Sequence, residues 1–424
     1  MSLTFPPGFL WGTATAAHQV EGDNTNSDWW AWERKPGTPV AEPSGAAIDH
    51  WNRYRTDIEM LAGLGFGVYR FSVEWARIEP VEGSFDPAAL AHYRDMVEAV
   101  LANGMRPMVT LHHFTIPQWF AALGGFMSPR APELFHRYCK AVTQALGTDV
   151  AWWCTINEPG VLAMGGYLGA FGWPPGTTDT DSWHRAMNGL RKCHVAGRDA
   201  VKEVDPTAKV GATHAMSEYE SNEAGRPLME YLRKFNEDVF LEVCDQDDFV
   251  GVQTYSRVPI DAPRWAAPAI RALVGLAPLR RHVLPRLIRS RTDGFENTNR
   301  GPDVRRTDMG YEFRPQAVAA TVRRAAELLP GKDLMVTEHG IAATDDSERI
   351  EFITKGLESL HRVIADGIPL RGYLHWSAFD NFEWALGYRM QFGLIDVDRA
   401  SMERTPKPSA LFFGEIARTN TLTV

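Results

Sequence analysis

Eight short apolar segments alternate with longer amphipathic segments along the chain, and no other feature of the sequence restricts the fold as strongly. Short apolar runs bounded by turn residues are typical of buried strands, and apolar residues at helical spacing are typical of surface helices. Strands are predicted at residues 9–15, 67–73, 106–113, 152–158, 209–214, 248–255, 333–338 and 370–379. Helices are predicted at residues 50–64, 87–103, 131–146, 182–204, 223–244, 315–329, 347–366 and 408–418.

Eight strands, each followed by a helix, predict an α/β fold with a single (β/α)8 TIM barrel domain over residues 1–424. Residues 22–49 and 257–306 are predicted to be extended loops at the C-terminal face of the strands. In barrel enzymes this face carries the chemistry, because the loops that follow the strands meet there.

Two of the predicted strands end on a glutamate. The fourth strand ends Thr-Ile-Asn157-Glu158 and is stopped by Pro159, and the seventh ends Val-Thr-Glu338 before a turn glycine. Burying a carboxylate at the end of a strand costs free energy, so its presence there indicates a functional role. We therefore expect Glu158 and Glu338 to form a facing carboxyl pair at the barrel mouth, which is typical of a glycoside hydrolase.

Other predicted strands bring polar side chains to the same face. Arg70 lies inside an apolar strand, so it needs an anionic partner, and a strand-end carboxylate is the expected one. Gln253 and Tyr255 lie on one side of the sixth strand, where a tyrosine hydroxyl can donate to a carboxylate and hold it ionised. Gln19, after the first strand, offers an amide donor and an acceptor for two adjacent sugar hydroxyls.

Metal-dependent hydrolysis and nucleic-acid binding are not expected. Side chains alternate along a strand, so only one of His112 and His113 can face the barrel interior, and no HxH or HExxH motif occurs. The four cysteines lack CxxC spacing and are expected to be buried free thiols, so no metal or other cofactor is predicted. The net charge of -9 argues against nucleic acid as a partner. A barrel aldolase would need a strand-end lysine, whereas Lys209 and Lys332 precede their strands.

The motifs and their order resemble glycoside hydrolase family 1, the β-glucosidase type of retaining β-glycosidase, over nearly the whole chain. The matching motifs are Phe9-Leu-Trp-Gly-Thr-Ala-Thr-Ala, Gln19-Val-Glu-Gly, Tyr69-Arg-Phe-Ser, Thr155-Ile-Asn-Glu-Pro, Thr337-Glu-His-Gly and Asp380-Asn-Phe-Glu-Trp. The resemblance implies hydrolysis of terminal, non-phosphorylated β-D-glucosides by double displacement through a covalent glycosyl-enzyme. The expected partner is a small-molecule glycoside, with β-galactosides and β-fucosides as secondary candidate substrates.

The resemblance also implies a role for each site residue. Glu338 would be the nucleophile and Glu158 the acid/base, with their carboxyl groups about 5–5.5 Å apart. Arg70 and Tyr255 would keep Glu338 ionised, and Asn157 would hold the 2-hydroxyl of the sugar. The predicted substrate-binding residues are Gln19, His113, Asn157, Trp376, Glu383 and Trp384.

Five positions depart from the usual pattern of this family. This chain has Gln253 where the family usually has Asn, and Phe114-Thr115 where it usually has Trp-Asp. It also has His339 in place of Asn and Gln391 in place of Arg. None of these changes removes a catalytic carboxyl group. Glu383 would repel a sugar 6-phosphate, which argues against phosphorylated substrates. Glu158 is retained, unlike in plant thioglucosidases, where glutamine stands at the acid/base position.

The segment after the sixth strand, residues 262–292, has an unusual composition, with seven arginines and no acidic residue among Leu, Ile, Val, Ala and Trp265. Prolines divide this segment into short pieces, which excludes one long amphipathic helix. Three interpretations stay open: a solvated lid packed on the barrel, a mouth for a hydrophobic aglycone, and a weak contact with an anionic membrane surface.

The first residues lack the basic and apolar regions of a signal peptide, and no apolar run is long enough to span a membrane, so a cytoplasmic location is expected. Two alternative functions stay open within the same fold. One is a transglycosidase, which uses the same intermediate with a sugar or alcohol acceptor. The other is a non-catalytic sugar-binding protein, although such relatives typically lose one of the two glutamates. The sequence leaves the oligomeric state undetermined.

Overall fold

Eight parallel strands close into a barrel in which each strand pairs with its neighbours in chain order. The computed structural model describes residues 2–292 and 303–423, except the side chains of residues 289–292. The strands are β1 Leu10–Ala14, β2 Val68–Ser72, β3 Arg106–Thr110, β4 Trp152–Asn157, β5 Val210–Ala215, β6 Phe249–Gln253, β7 Asp333–Glu338 and β8 Leu370–Trp376. The predicted (β/α)8 fold is therefore confirmed.

Helices connect successive strands and cover the barrel. They are α1 His50–Gly63, α2 Pro87–Ala102, α3 Ala131–Leu146, α4 Thr180–Val204, α5 Arg226–Arg233, α6 Ala317–Leu328, α7 Asp346–Ala365 and α8 Pro408–Thr419. Asp86, Asp179 and Asp345 cap the N-termini of α2, α4 and α7, because each carboxylate accepts a backbone N–H that has no partner inside the helix. These caps explain why the helices begin where polar residues precede the apolar periodicity.

The barrel interior is divided into an apolar floor and a polar mouth. Val68 of β2 packs in a buried cluster with Met108, Trp152, Cys154, Phe249, Met335 and Leu374, which come from the other barrel strands. Residues two apart on a strand point to the same face, so Arg70 shares the interior face with Val68 and lies one level nearer the carboxyl ends. A larger apolar core fills the space between the strands and the helices.

Six strands end earlier than the sequence predicted. They are β1, β2, β3, β4, β6 and β8, which end at Ala14, Ser72, Thr110, Asn157, Gln253 and Trp376. The polar residues beyond these ends leave the strand ladder and turn over the barrel mouth. Glu158 follows β4 directly in a left-handed conformation with φ of 43°.

Three predicted connections also differ from the structure. The predicted loop at residues 257–306 contains the short strand Arg257–Pro259 and several short helices. The predicted loop at residues 22–49 contains a short helix, Asp28–Glu33, because Ser27 accepts from the backbone N–H of Trp30 and the Trp29 side chain is buried. The predicted helix at 223–244 is α5 followed by a wider π turn, Lys234–Asp238, and the short helix Val239–Leu241.

The prolines of the arginine-rich segment divide it as predicted. Its helices are Ala267–Gly275, Ala277–His282 and Leu284–Thr292, and each has proline as its second residue. A proline fits the first turn of a helix, where its missing N–H breaks no intrahelical bond, so each proline starts a new helix. In the described part of the chain, no helix is both long and apolar enough to cross a membrane.

Candidate active site

Glu338 ends β7 between two donors. Its Oε1 accepts from Arg70 Nη1 at 2.5 Å, and its Oε2 accepts from the hydroxyl of Tyr255. Burial raises the pKa of the Glu338 carboxyl, while Arg70 and the Tyr255 hydroxyl oppose that rise. The expected partner of Arg70 is thus present, and the two donors favour the ionised form of Glu338.

The backbone just after Glu338 has no room for a side chain. A Cβ atom on Gly340 would lie 1.9 Å from the carbonyl oxygen of Trp376. Only glycine allows β7 and β8 to approach so closely at their carboxyl ends. The glycine of the Thr-Glu-His-Gly motif therefore holds Glu338 and Trp376 on adjoining strand ends.

Glu158 lies in a different environment from Glu338. Its side chain is buried, and its Oε1 has no hydrogen-bond partner among the described residues. Burial raises the pKa of Glu158 well above its usual value, and the charge of Glu338 raises it further. Glu158 therefore holds a proton more readily than Glu338, which has two donors of its own.

Asn157 connects the side chains around the two glutamates. Its Oδ1 accepts from Arg70 at 2.6 Å, from Gln253 at 2.9 Å and from Thr213 at 2.9 Å, which fixes the orientation of the amide. Its Nδ2 must then donate to His113 Nε2 at 3.2 Å. The ring proton of His113 is therefore on Nδ1, and burial keeps the pKa of this histidine well below its usual value.

His112 and His113 point to different sides, as predicted, although both follow the end of β3 at Thr110 and are placed by the connecting segment. The His112 ring packs against Phe126, outside the barrel mouth, with a centroid distance of 4.9 Å. The ring of His113 instead lies nearly parallel to those of Trp376 and Trp384, at 5.9 and 6.2 Å. The three predicted binding residues His113, Trp376 and Trp384 thus share one wall.

Gln19 and Glu383 approach each other from opposite ends of the chain. The Gln19 Nε2 donates to the carbonyl oxygen of Phe382 at 2.8 Å and to Asn381 Oδ1 at 3.1 Å, and lies 3.5 Å from Glu383 Oε2. Burial and the charge of Glu338 raise the pKa of Glu383 to about 8. The predicted residues Gln19 and Glu383 therefore belong to the same site.

Several buried polar atoms of this site have no hydrogen-bond partner within residues 2–292 and 303–423. They are Gln19 Oε1, His113 Nδ1, Glu158 Oε1 and Gln253 Oε1. A buried polar atom without a partner costs about 1–3 kcal/mol. These four atoms at one barrel mouth fit a ligand that carries several hydroxyl groups, since each hydroxyl can both donate and accept.

The departures from the family pattern have separate structural consequences. Gln253 reaches Asn157 rather than the nucleophile, and Phe114 packs edge-on against Trp384 at 5.2 Å. His339 points away from the site, where it contacts the Tyr373 hydroxyl at 2.9 Å, and burial lowers its pKa to about 3. Gln391 contributes its backbone carbonyl, which accepts from Arg349 at 2.6 Å.

Three further residues belong to this region and were not identified from the sequence. Thr213, on β5, donates to Asn157, and Trp173 extends the aromatic wall by packing on Trp384 at 5.8 Å. Burial raises the pKa of the Tyr311 hydroxyl, and the nearby charges of Glu383 and Glu158 raise it further. Thr213 had a usable signal, because it occupies an interior position near the end of a predicted strand. Trp173 and Tyr311 lie in loops without such periodicity.

One cluster elsewhere has metal-ligand chemistry. His194, Cys244 and Asp247 are buried, and one ligand atom from each lies within 4.8 Å of the others. The Asp247 Oδ1 atom, however, already lies 3.1 Å from His194 Nε2 and 3.3 Å from Arg198 Nη1. These contacts describe a buried ion-pair cluster, so we assign no metal to it. All four cysteines are free and buried, as predicted.

Comparison with known proteins agrees with this geometry. The chain matches the sequence profile of Glycosyl hydrolase family 1 over residues 1–260 and 280–422. It is 32% identical to thermostable beta-glucosidase B of Thermobispora bispora, covering 99% of this chain and 92% of that protein. It is 29% identical to a bifunctional beta-D-glucosidase/beta-D-fucosidase of Bifidobacterium breve, covering 96% and 97%. The crystal structure of beta-glycosidase BGL167 superposes with a TM-score of 0.84 at 40% identity, over 98% of this chain and 97% of the other. The protein therefore belongs to glycosyl hydrolase family 1.

Proposed function

We propose that this protein is a retaining β-glucosidase that hydrolyses terminal, non-phosphorylated β-D-glucosides. The observation that carries the proposal is the unequal environment of two strand-end glutamates. Glu338 accepts hydrogen bonds from Arg70 and Tyr255, whereas Glu158 is buried with Oε1 unpaired among the described residues. One carboxyl group is thus suited to be an ionised nucleophile and the other a protonated acid.

In the first step, the Glu338 carboxylate attacks the anomeric carbon while Glu158 donates its proton to the glycosidic oxygen. The bond between that carbon and oxygen breaks, and the aglycone leaves as an alcohol. A covalent glycosyl ester on Glu338 remains. Arg70 and Tyr255 orient the nucleophile, because each holds one of its two oxygens.

In the second step, Glu158 acts as a base. Esterification removes the charge of Glu338, which is one cause of the raised Glu158 pKa, so that pKa falls. Glu158 then takes a proton from water, and the oxygen of that water attacks the anomeric carbon. Glucose is released with its original β configuration, and both glutamates return to their starting protonation states.

The pocket around the glutamates supports a sugar in the site next to the nucleophile. The second N–H of Asn157 is suited to the 2-hydroxyl, where a hydrogen bond strengthens as positive charge develops at the anomeric carbon. The Nδ1–H of His113 and the amide oxygen of Gln19 offer one donor and one acceptor to further hydroxyls. Trp376 and Trp384 offer flat apolar faces to the ring. Glucose stays first among the candidate sugars, with galactose and fucose as seconds.

The test is intact-protein mass spectrometry after incubation with an activated 2-deoxy-2-fluoro-β-glucoside, followed by peptide mapping. The fluorine slows hydrolysis of the intermediate, so one fluoroglucosyl group should accumulate on the peptide that contains Glu338. Proton NMR during turnover of an aryl β-glucoside should show the β-anomer of glucose first.

Two variants make this test specific. The isosteric Glu338→Gln variant should gain no label. Glu237→Gln, which changes a buried glutamate hydrogen-bonded to the Ser217 backbone, should be labelled like the unmodified protein. A folded, unmodified protein that acquires no label would contradict the proposal, and so would a label on another residue or an α-anomer as the first product.

A further inference from the structure

The arginine insert, residues 262–292, lies partly outside the family pattern. The two ranges that match the family profile leave out residues 261–279. The insert follows β6 and the short strand Arg257–Pro259, on the side of the barrel that carries Tyr255. It is therefore an addition beside the barrel mouth rather than a part of the barrel.

One face of the insert is packed against the barrel. Leu273, Leu284 and Ile288 are buried and belong to the main apolar core. Arg281 pairs with Asp181 at the N-terminus of α4, and Arg280 lies 5.9 Å over the ring of Tyr231 in α5. These contacts fold the insert onto the protein, and they account for its inward-facing apolar residues.

A second set of apolar side chains points to solvent. Trp265 is 83% exposed, Leu276 55%, Val283 43% and Leu279 36%. The barrel core cannot explain these residues, because the inward positions are taken by others. Large apolar groups gathered in one exposed segment are typical of a surface that binds a partner.

The same segment carries exposed positive charge that has no acidic partner among the described residues. Arg264, Arg271 and Arg286 are exposed, and within the part of the chain that the structure describes none of them has a hydrogen bond or ion pair. The insert has seven arginines and no acidic residue, whereas the whole chain has a net charge of -9. Positive charge is therefore concentrated on this segment of an otherwise strongly acidic protein.

We propose that the arginine insert docks on an anionic lipid bilayer. Arginines attract anionic headgroups, and the exposed Trp265, Leu276, Leu279 and Val283 enter the interface between headgroups and acyl chains. Nucleic acid would use the charge but leave the aliphatic side chains without a partner. Bilayer docking uses both properties of the surface, and it brings the barrel mouth next to the membrane. It does not depend on the proposed β-glucosidase activity.

The test is sedimentation of the full-length protein with large unilamellar vesicles. Vesicles of phosphatidylcholine with about 30% phosphatidylglycerol have a strongly anionic surface, and they should bind the protein at low salt. Pure phosphatidylcholine vesicles should not, and molar salt should release the bound protein, because screening shortens the reach of the charges. Each arginine near such a surface changes the partition coefficient about fivefold, so Arg264→Glu with Arg271→Glu should weaken binding by about 25-fold or more. Trp265→Ala should weaken it several-fold without changing its dependence on salt.

Matched substitutions elsewhere separate the insert from the rest of the surface. Arg362→Glu changes an exposed arginine on α7, and Leu411→Ala changes a 58% exposed leucine on α8. Both should bind vesicles like the unmodified protein. Hydrolysis of a small aryl β-glucoside without vesicles should be unchanged in every variant, which checks folding.

Three results would overturn the proposal. One is equal binding to neutral and anionic vesicles, and another is no binding to either. The third is self-association in sedimentation velocity that the Arg264→Glu, Arg271→Glu variant abolishes, because the insert would then bind a second copy of this chain.

Discussion

The Tyr255→Phe substitution tests the assignment of Glu338 as the ionised partner of the pair. Tyr255 donates to Glu338 Oε2, while Arg70 holds Oε1, so phenylalanine leaves one carboxylate oxygen without its donor and changes little else in shape. A hydrogen bond to a charged group contributes about 1.5–3 kcal/mol, and one pKa unit corresponds to about 1.4 kcal/mol. The pKa of Glu338 should therefore rise by about one to two units in the free enzyme.

The sign of the effect follows from the chemistry. Only the ionised carboxylate attacks, so kcat/KM rises with pH through the pKa of Glu338. Loss of the donor raises that pKa, and the acidic limb of the profile should move to higher pH by the same one to two units, about 10- to 100-fold in rate on that limb. Initial rates with an aryl β-glucoside across the stable pH range measure this shift.

Tyr373→Phe is the matched control. Tyr373 is buried on β8, and its hydroxyl contacts His339 Nδ1 at 2.9 Å rather than a carboxylate. Its removal should leave the acidic limb in place. An unchanged acidic limb in a folded Tyr255→Phe variant would refute the assignment, as would a shift to lower pH or an equal shift in both variants.

Two further substitutions test the remaining parts of the site. Glu158→Gln should lower kcat for an alkyl β-glucoside by about 100- to 10,000-fold, because the leaving alcohol needs a proton. The 2,4-dinitrophenolate ion leaves without a proton, so a 2,4-dinitrophenyl glucoside should still release it in a rapid pre-steady-state burst. An equal loss in the rate of this first step with both substrates would contradict the acid role. Arg70→Met should lower the free energy of unfolding by about 3–5 kcal/mol, because it leaves Glu338 buried without its cation. Urea denaturation measures this loss, and Arg371→Met, which breaks an exposed pair with Asp333, should cost no more than about 1 kcal/mol. If Arg70→Met lowers the free energy of unfolding by no more than about 1 kcal/mol, the buried Arg70–Glu338 pair does not stabilise the fold.

Bringing Glu158 into the site involves backbone strain. Glu158, Phe114 and Trp384 all have positive φ angles, of 43°, 69° and 49°, and all three lie in the segments that follow barrel strands. Such a conformation costs a non-glycine residue about 1–2 kcal/mol. The three strained residues surround one site, so contacts with the surrounding fold, rather than their own backbone preferences, direct these side chains.

Local patterns in the sequence were enough to predict the barrel and to place its functional residues at the carboxyl ends of the strands. Apolar runs at strand length and apolar residues at helical spacing give the order of the elements, because burial imposes these periods wherever an element faces a core. The glutamates after β4 and β7 could be assigned to one face, since all strands of a parallel barrel end there. The expectation that Arg70 pairs with a carboxylate followed from the free-energy cost of burying an unpaired charge.

Contacts across the barrel were decided only by the tertiary structure. Asn157 accepts from Arg70, Thr213 and Gln253, three residues from other strands, and only this arrangement fixes the His113 proton on Nδ1. Which side chains meet depends on strand stagger and barrel closure, and these depend on the packing of the whole chain. Local spacing does not contain that information. The sequence therefore predicted which groups reach the mouth, and the closed barrel determined which of them touch.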